Sequence, residues 1–250
     1  MMRGRMHFGK GIIDFHAHLI PGADDGAASL DEAVVIAKIL SMLHVKAVVA
    51  TPHYAPGTPC SGAAYIEHVR QSHSLLAEML AWEKVPLTVY QGFEVKITEE
   101  TMYSGNFGDL AIRGTECVLL EAPFSGDAKW LDELVYTLKV SGYVPILAHP
   151  ERCQCLGGDT VRLERLAREG AVPQLNIGSF AGQYGSHVRG NAQAVLRRGL
   201  RTVLGSDIHN TSQIPLLSEG LRQIGKQLRG AEYVGTLYGA ACSLIQAGRD

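Results

Sequence analysis

Residues 12–26 read IIDFHAHLIPGADDG. Ile12 and Ile13 open a buried strand. Asp14, His16 and His18 then alternate with Phe15, Ala17 and Leu19, and alternate residues of a strand share a face. The pattern therefore expects three polar groups pointing one way from an apolar segment. Two imidazoles two positions apart on one side of a strand can reach a common metal ion. Asp24 and Asp25 follow on a Pro/Gly-containing loop, near enough to fold back over the same place. A solvated edge strand with stray histidines is the plain alternative, and the ends of the later strands weigh against it.

Downstream, Ser29-Leu-Asp-Glu32 reads as a capping box ahead of a helix over 30–43. Short apolar runs at 45–50, 87–90, 117–120, 144–148, 173–177 and 201–204 read as further buried strands. Helical spacing fills the intervals: a long helix ending near Trp82, a short one near 98–103, then 127–141, 160–169 and 191–198. Two helices, 216–228 and 231–246, close the chain. Gly142 and Gly170 mark helix ends, and SFAGQYG at 179–185 reads as a loop. Strands alternating with helices imply a parallel sheet. Seven such units in 250 residues point to one closed α/β barrel spanning 1–250. An open doubly wound sheet would carry a glycine-rich phosphate loop after its first strand, and HLIPGADDG is not GxGxxG.

The chain is 46% hydrophobic, enough for one large core, and its net charge of −2 with no long basic run gives no reason to expect nucleic acid. Five scattered cysteines imply reduced thiols and a cytoplasmic setting. The N-terminal MMRGRMHFGKG is basic but lacks an apolar segment, so no secretory signal is expected. No apolar run is long enough for direct membrane insertion.

In α/β barrels the chemistry collects at the C-terminal ends of the strands. Here those ends carry His16 and His18, His53, Glu94, Glu121, His149, and Asp207 with His209. The remaining histidines, His7, His44, His68, His73 and His187, are expected on the surface or on helix faces. Five imidazoles and several carboxylates at one mouth would repel one another and bury uncompensated charge. Divalent cations remove that conflict, and Glu94 is suited to bridge a pair. Mixed His/carboxylate ligation suits Zn, Mn or Fe and fits Ca poorly. Arg152, three residues after His149, is the natural anion partner, because a guanidinium binds phosphate through paired donors. A surface salt bridge with Glu151 is its alternative role.

The series HAH with PGADDG, ATPH, GFE, VLLEAPF, AHPER and GSDIHN, in that order, resembles the PHP (polymerase and histidinol phosphatase) superfamily. Within it, the combination is most similar to the bacterial capsular-polysaccharide tyrosine phosphatases of the CpsB/YwqE type. The resemblance implies a distorted (β/α)7, TIM-like barrel holding three divalent metal ions, manganese first, with iron or zinc as alternatives. Carried over motif by motif, His16, His18, Glu94 and Asp207 would hold one ion. Glu94, Glu121 and His149 would hold a second, and Asp25, His53 and His209 a third. The family's spacing selects Asp25 over Asp24. The implied catalytic set is Arg152 as phosphate binder, Glu94 as bridge and Asp14 as an orienting group.

Four ligand carboxylates leave three divalent ions net positive, which suits a phosphate monoester dianion. A phenolate leaving group, with an ordinary pKa of about 10, needs less acid assistance than an alkoxide. The implied partner is a phosphotyrosine protein, such as the tail of a bacterial tyrosine kinase of polysaccharide biosynthesis. One departure stands out. The family often has a second Arg five residues beyond the last histidine, where this chain has Ile214. Ile214→Arg is therefore expected to strengthen the grip on phosphate.

Other readings fare less well. A cysteine phosphatase needs an Arg six residues beyond its thiolate, and Cys60, Cys117, Cys153, Cys155 and Cys242 are followed there by Ile66, Pro123, Asp159, Val161 and Gly248. A metal amidohydrolase would carry a Lys at a mid-barrel strand end, where Glu121 stands. A small-molecule phosphatase of the histidinol-phosphatase type, or a metal-loaded module that binds without cleaving, would need the same ligands.

Overall fold

The computed structural model describes residues 11–103, 107–126, 128, 130–227, 240, 241 and 243–245. Its strands are β1 (Ile12–Ala17), β2 (Val45–Ala50), β3 (His53–Tyr54), β4 (Thr88–Gln91), β5 (Glu94–Lys96), β6 (Cys117–Glu121), β7 (Val144–Ala148), β8 (Val172–Asn176) and β9 (Val203–Gly205). Between them run α1 (Leu30–Met42), α2 (Gly62–Trp82), α3 (Glu99–Tyr103), α4 (Leu131–Val140), α5 (Gln154–Gly157), α6 (Thr160–Arg168), α7 (Ile177–Ala181), α8 (Gly185–Arg197) and α9 (Ile214–Gln227).

Every strand pairing is parallel, in the orders β1-β2-β4 and β3-β5-β6-β7-β8-β9. The two orders are one curled sheet. β2 and β3 are halves of one strand interrupted at Thr51-Pro52, and β4 and β5 are halves of another interrupted at Gly92-Phe93. The Gly92 N–H donates to Ala50 O and the Glu94 N–H to Pro52 O, carrying the ladder across both breaks. Pro52 has no N–H to give the ladder at the first break, although Pro145 and Pro173 are carried within the unbroken β7 and β8. The nine pieces thus trace the seven strand paths expected from the sequence. The last path meets the first where Ala17 bridges Ile208. There Asp207 N–H donates to His16 O at 2.8 Å, and His18 N–H donates to Ile208 O at 3.0 Å. The barrel is distorted and drawn together at the C-terminal ends of its strands.

Alternation along the strands divides the core. Ile13, Phe15, Ala47, Val49, Leu119, Ile146 and Val203 face the barrel interior, with Ala241, Leu244 and Ile245 packed against them. Ile12, Ala17, Val48, Ala50, Val118 and Leu120 face the helices. β1 breaks this rhythm. Asp14 is opposite Val48 and Ala17 is opposite Ala50, so β1 carries one extra residue between them. A one-residue bulge reverses the facing of everything beyond it. Asp14 therefore does not share a face with His16 and His18, contrary to the simple period of two. The shift turns both imidazoles into the barrel mouth.

Most helices follow their sequence signals. Ser29 Oγ caps α1 by accepting from Glu32 N–H. The reciprocal arm of the expected box instead takes Ala28 N–H onto Glu32 Oε2. α4 starts later than the expected 127, and α8 starts earlier than the expected 191. The SFAGQYG segment is a correction. Its first three residues end the buried helix α7, Gly182 (left-handed, φ 85°), Gln183 and Tyr184 form a short turn, and Gly185 opens α8. Gly220 permits this arrangement, since a Cβ there would sit 2.0 Å from Ile177 O, and α9 lies directly on α7. Of the expected closing helix, residues 240, 241 and 243–245 are helical and 231–239 lie outside the described residues. The N-terminal basic segment with His7, and Cys242, also lie outside them. No helix among the described residues is long and apolar enough to cross a membrane.

Candidate metal centre

The nine groups expected to ligate metal all reach the barrel mouth. They fall into overlapping clusters whose ligand atoms lie within 4.8 Å of one another: His18, Asp25, His53 and His209; His16, His18 and Asp207; His16, Glu94 and His149; His53, Glu94 and Glu121. The partition differs from the one the motifs implied, because Glu121 falls with His53 and Glu94, and His149 with His16 and Glu94.

Glu94 lies at the centre. Its Oε1 is 2.8 Å from His149 Nε2, and its Oε2 is 2.9 Å from His53 Nδ1, 3.3 Å from His16 Nε2 and 3.5 Å from His18 Nε2. Burial opposes its charge, yet the surrounding imidazoles hold the carboxyl well below its ordinary range. Burial likewise opposes charge on His16, but Glu94 and Asp207 outweigh it and push the imidazole up to about 9. The mouth is a place that draws positive charge.

Hydrogen bonds fix which nitrogens face inward. His16 donates from Nδ1 to Gln174 Oε1 at 3.0 Å, and His18 from Nδ1 to Asp24 Oδ2 at 2.6 Å. Their Nε2 atoms consequently face each other at 3.1 Å, with Asp207 Oδ1 3.5 and 3.4 Å away. Two imidazole lone pairs at that separation repel unless a cation lies against both. Glu94 Oε2 and His149 Nδ1 are also buried without a hydrogen-bond partner. Buried polar atoms of this kind call for an explanation such as an ion. His209 directs Nδ1 to Asp207 O at 3.0 Å, which leaves its Nε2 facing Asp25 Oδ1 at 3.5 Å. The donor set, the ring orientations and the orphaned atoms all fit divalent metal.

His149 and Asp207 adopt left-handed backbone, at φ 30° and φ 53°. Non-glycine residues occupy this region at a cost of roughly 1–3 kcal/mol, and such residues cluster at functional sites. His149 directly follows β7 and Asp207 lies two residues past the end of β9, where the chain must turn to present its side chain into the mouth. Gly205 makes room for that turn, since a Cβ there would lie 2.7 Å from His16 Cβ and 2.5 Å from Gln174 Nε2.

Arg152 donates from Nη1 to Asp207 Oδ2 at 2.8 Å, and its side chain is 20% exposed. The alternative pairing with Glu151 is absent. Glu151 is buried and accepts from Asn176 N–H and Ser179 Oγ instead. Asp14 accepts from His16 N–H and Ser206 N–H. It joins the backbone of β1 to the turn after β9 and touches no imidazole. Burial pushes the Cys117 thiol up to about 11 and the Cys153 thiol higher still, so neither is a ready nucleophile. Of the histidines set aside, His44, His68 and His187 are exposed, and His73 bonds Val89 O.

The family described as capsular polysaccharide synthesis, CpsB/CapC, matches residues 12–245. The chain belongs to that family. The tyrosine-protein phosphatase YwqE of Bacillus subtilis (strain 168) is 30% identical over 202 residues, 80% of this chain and 78% of its own length. The putative tyrosine-protein phosphatase CapC of Staphylococcus aureus is 28% identical over 211 residues, 84% of this chain and 82% of its own. A solved structure from work on YwqE of Bacillus subtilis and CpsB of Streptococcus pneumoniae, described as unique metal-dependent tyrosine phosphatases, aligns with a TM-score of 0.82. That match is 26% identical and covers 94% of this chain and 95% of that one. A probable 2-pyrone-4,6-dicarboxylic acid hydrolase from Acinetobacter baumannii aligns at a TM-score of 0.51 and 13% identity, a likeness of fold alone.

In this CpsB/CapC protein, sequence reasoning passed over four residues that shape the mouth. Gln174 and Asn176 relay His16 to Asp207: Gln174 Nε2 donates to Asn176 Oδ1 at 2.9 Å, and Asn176 Nδ2 to Asp207 Oδ2 at 2.7 Å. Their signal was two polar residues, two apart, in a strand buried along its whole length. Phe124 and Tyr184 flank Arg152, and no local pattern announces them. Asp24 is an orienting group, with Oδ2 accepting from His18 Nδ1 and from His53 N–H at 2.9 Å, while the exposed Asp25 faces His53 and His209. Burial opposes the charge of Asp24, but His18 and the N–H groups of His53 and Gly26 hold its carboxyl down to about 2. Gly26 lets this loop lie over β1, since a Cβ would meet His18 O at 2.3 Å.

Asp24→Asn should therefore weaken metal binding by roughly 10–100-fold, the usual loss when the partner of a ligating histidine is altered. Competition with a chelator of known affinity measures it, and affinity equal to wild type would remove Asp24 from this role. Ile214 brings a correction. It opens α9 half-buried against the helix-side core, so Ile214→Arg would lose packing, and the gain in phosphate grip expected from the motif comparison is withdrawn.

Proposed function

We propose that this protein is a metal-dependent phosphomonoester hydrolase that dephosphorylates phosphotyrosine in a protein substrate. The observation that carries the reading is a guanidinium, Arg152, bonded to Asp207 at the rim of a mouth where nine ligating side chains converge. The relatives named as tyrosine-protein phosphatases supply the substrate class. The reading extends to three divalent ions, manganese foremost, held by His16, His18, Asp25, His53, Glu94, Glu121, His149, Asp207 and His209. It also extends to a cytoplasmic site of action on the tail of a tyrosine kinase of polysaccharide biosynthesis.

Ions bound there would supply Lewis-acid charge and lower the pKa of a water molecule. The chain's own groups do the rest. Arg152 binds phosphate oxygens and compensates the charge that spreads over them in the transition state. Asp207 and the anchored ring of Tyr184 hold its guanidinium in one orientation before substrate arrives. Asp24 and Gln174 keep Nε2 of His18 and His16 turned inward. Asp14 keeps the two ends of the barrel together beneath them. The leaving phenolate asks little of a general acid.

A panel of phosphotyrosine peptide, phosphoserine peptide and histidinol phosphate, assayed with added manganese, tests the reading. Phosphotyrosine should be preferred. Removal of metal with EDTA should abolish turnover, and alkylation of the thiols should leave most of it. Full activity in a verified metal-free preparation, or a clear preference for histidinol phosphate, would overturn it.

A further inference from the structure

Arg152 lies between two aromatic rings, its Cζ 4.4 Å from the Phe124 centroid and 4.0 Å from that of Tyr184. The rings differ in what else they do. Tyr184 is anchored by polar contacts, with its hydroxyl 3.3 Å from Asp207 Oδ2 and accepting from Gln183 Nε2 at 3.2 Å. Phe124 has no polar tip. Its backbone is pinned by Gln154 N–H donating to its carbonyl, and its ring lies 5.4 Å from that of His149. Nevertheless Phe124 is 43% exposed. Single exposed apolar side chains need no explanation on an ordinary surface. This one stands at the rim of a polar mouth, between the guanidinium and an imidazole of the metal centre.

We infer that Phe124 is a specificity-determining residue whose outward face stacks on the aryl ring of the substrate while Arg152 holds the phosphate. The inference rests on the phosphatase reading and deepens it. An aryl phosphate bound by Arg152 carries its ring one ester oxygen away from phosphorus, within reach of the ring beside that guanidinium. Offset or edge contact between two rings is favourable beyond simple burial. A phosphoserine carries a single methylene there and gains nothing from Phe124. The charge of the mouth binds any phosphomonoester, so discrimination in binding, beyond the ease with which a phenolate leaves, calls for an apolar group at its edge.

The test uses the manganese-loaded full chain and the variants Phe124→Ala, Phe124→Leu and Phe124→Trp. Phenyl phosphate and phosphotyrosine peptide are compared with phosphoserine peptide, and inorganic phosphate serves as an inhibitor. Phe124→Ala should lower kcat/KM for both aryl substrates by roughly threefold to tenfold. It should leave phosphoserine turnover and phosphate inhibition within about twofold of wild type. Phe124→Trp should restore aryl preference, and Phe124→Leu should fall between. An equal loss on aryl and alkyl substrates, or phosphate inhibition weakened in step, would show that Phe124 merely holds Arg152 and would overturn the inference. So would an unchanged aryl preference in Phe124→Ala. A wild type that hydrolyses no phosphomonoester would instead overturn the phosphatase reading itself, and this inference with it.

Discussion

Glu94→Gln should strip the protein of most of its metal and lower kcat/KM by about a thousandfold or more, beyond the usual cost of deleting a single electrostatic group in an active site. The amide keeps the shape of the side chain, so the effect isolates charge. Four imidazoles, those of His16, His18, His53 and His149, lie within 3.5 Å of the Glu94 carboxylate oxygens. Without that charge the cluster has lost the group shared by two of its ligand sets. The amide nitrogen would also press a donor against nitrogens that must keep lone pairs inward. Metal analysis of the purified variant, alongside circular dichroism to verify folding, is the measurement. A folded Glu94→Gln protein with wild-type metal content would mean that Glu94 is no ligand.

Arg152→Ala should leave the metal in place and still lower kcat/KM by roughly 10–100-fold, since a hydrogen bond to a charged group contributes about 1.5–3 kcal/mol. Asp207 keeps its Asn176 and Tyr184 partners when Arg152 is removed, which is why its position near His16 and His18 should survive. Inhibition by inorganic phosphate should weaken by a similar factor. Arg152→Lys should recover only part of the loss, because an ammonium lacks the planar fork and stacks less well between Phe124 and Tyr184. Unchanged phosphate inhibition in Arg152→Ala would remove Arg152 from phosphate binding. Metal loss in that variant would instead make it a support of the Asp207 ligand.

The two predictions differ in how much of their basis could be read before any fold was known. Glu94 follows a strand in GFE and is followed by an apolar residue, so its place at a barrel mouth was legible from the hydrophobic period alone. The same holds for His53 after ATP, His149 after VPILA and Asp207 after VLG. Each strand is short, β-branched and bounded by Gly or Pro, and a parallel barrel gathers all such ends on one face. The order of motifs also sufficed to suggest the family, which the match over residues 12–245 bears out.

Other features were beyond such reading because their causes are not local. The period of two put Asp14 beside His16 and His18, and a bulge set by pairing with β2 moved it to the backbone of Ser206, 192 residues away. Gln174 fixes a ring 158 residues distant. SFAGQYG has the composition of a loop, and α7 forms there because α9 lies on it across Gly220. Ile214 looked like a missing cation and proved to be a packing residue. Hydrophobic periodicity is a property of neighbours along the chain, so it locates strands, their ends and the polar groups those ends carry. Which nitrogen of a histidine faces inward, which of Asp24 and Asp25 orients a ring, and which aromatic faces enclose Arg152 depend on distances between segments that meet only when the barrel closes.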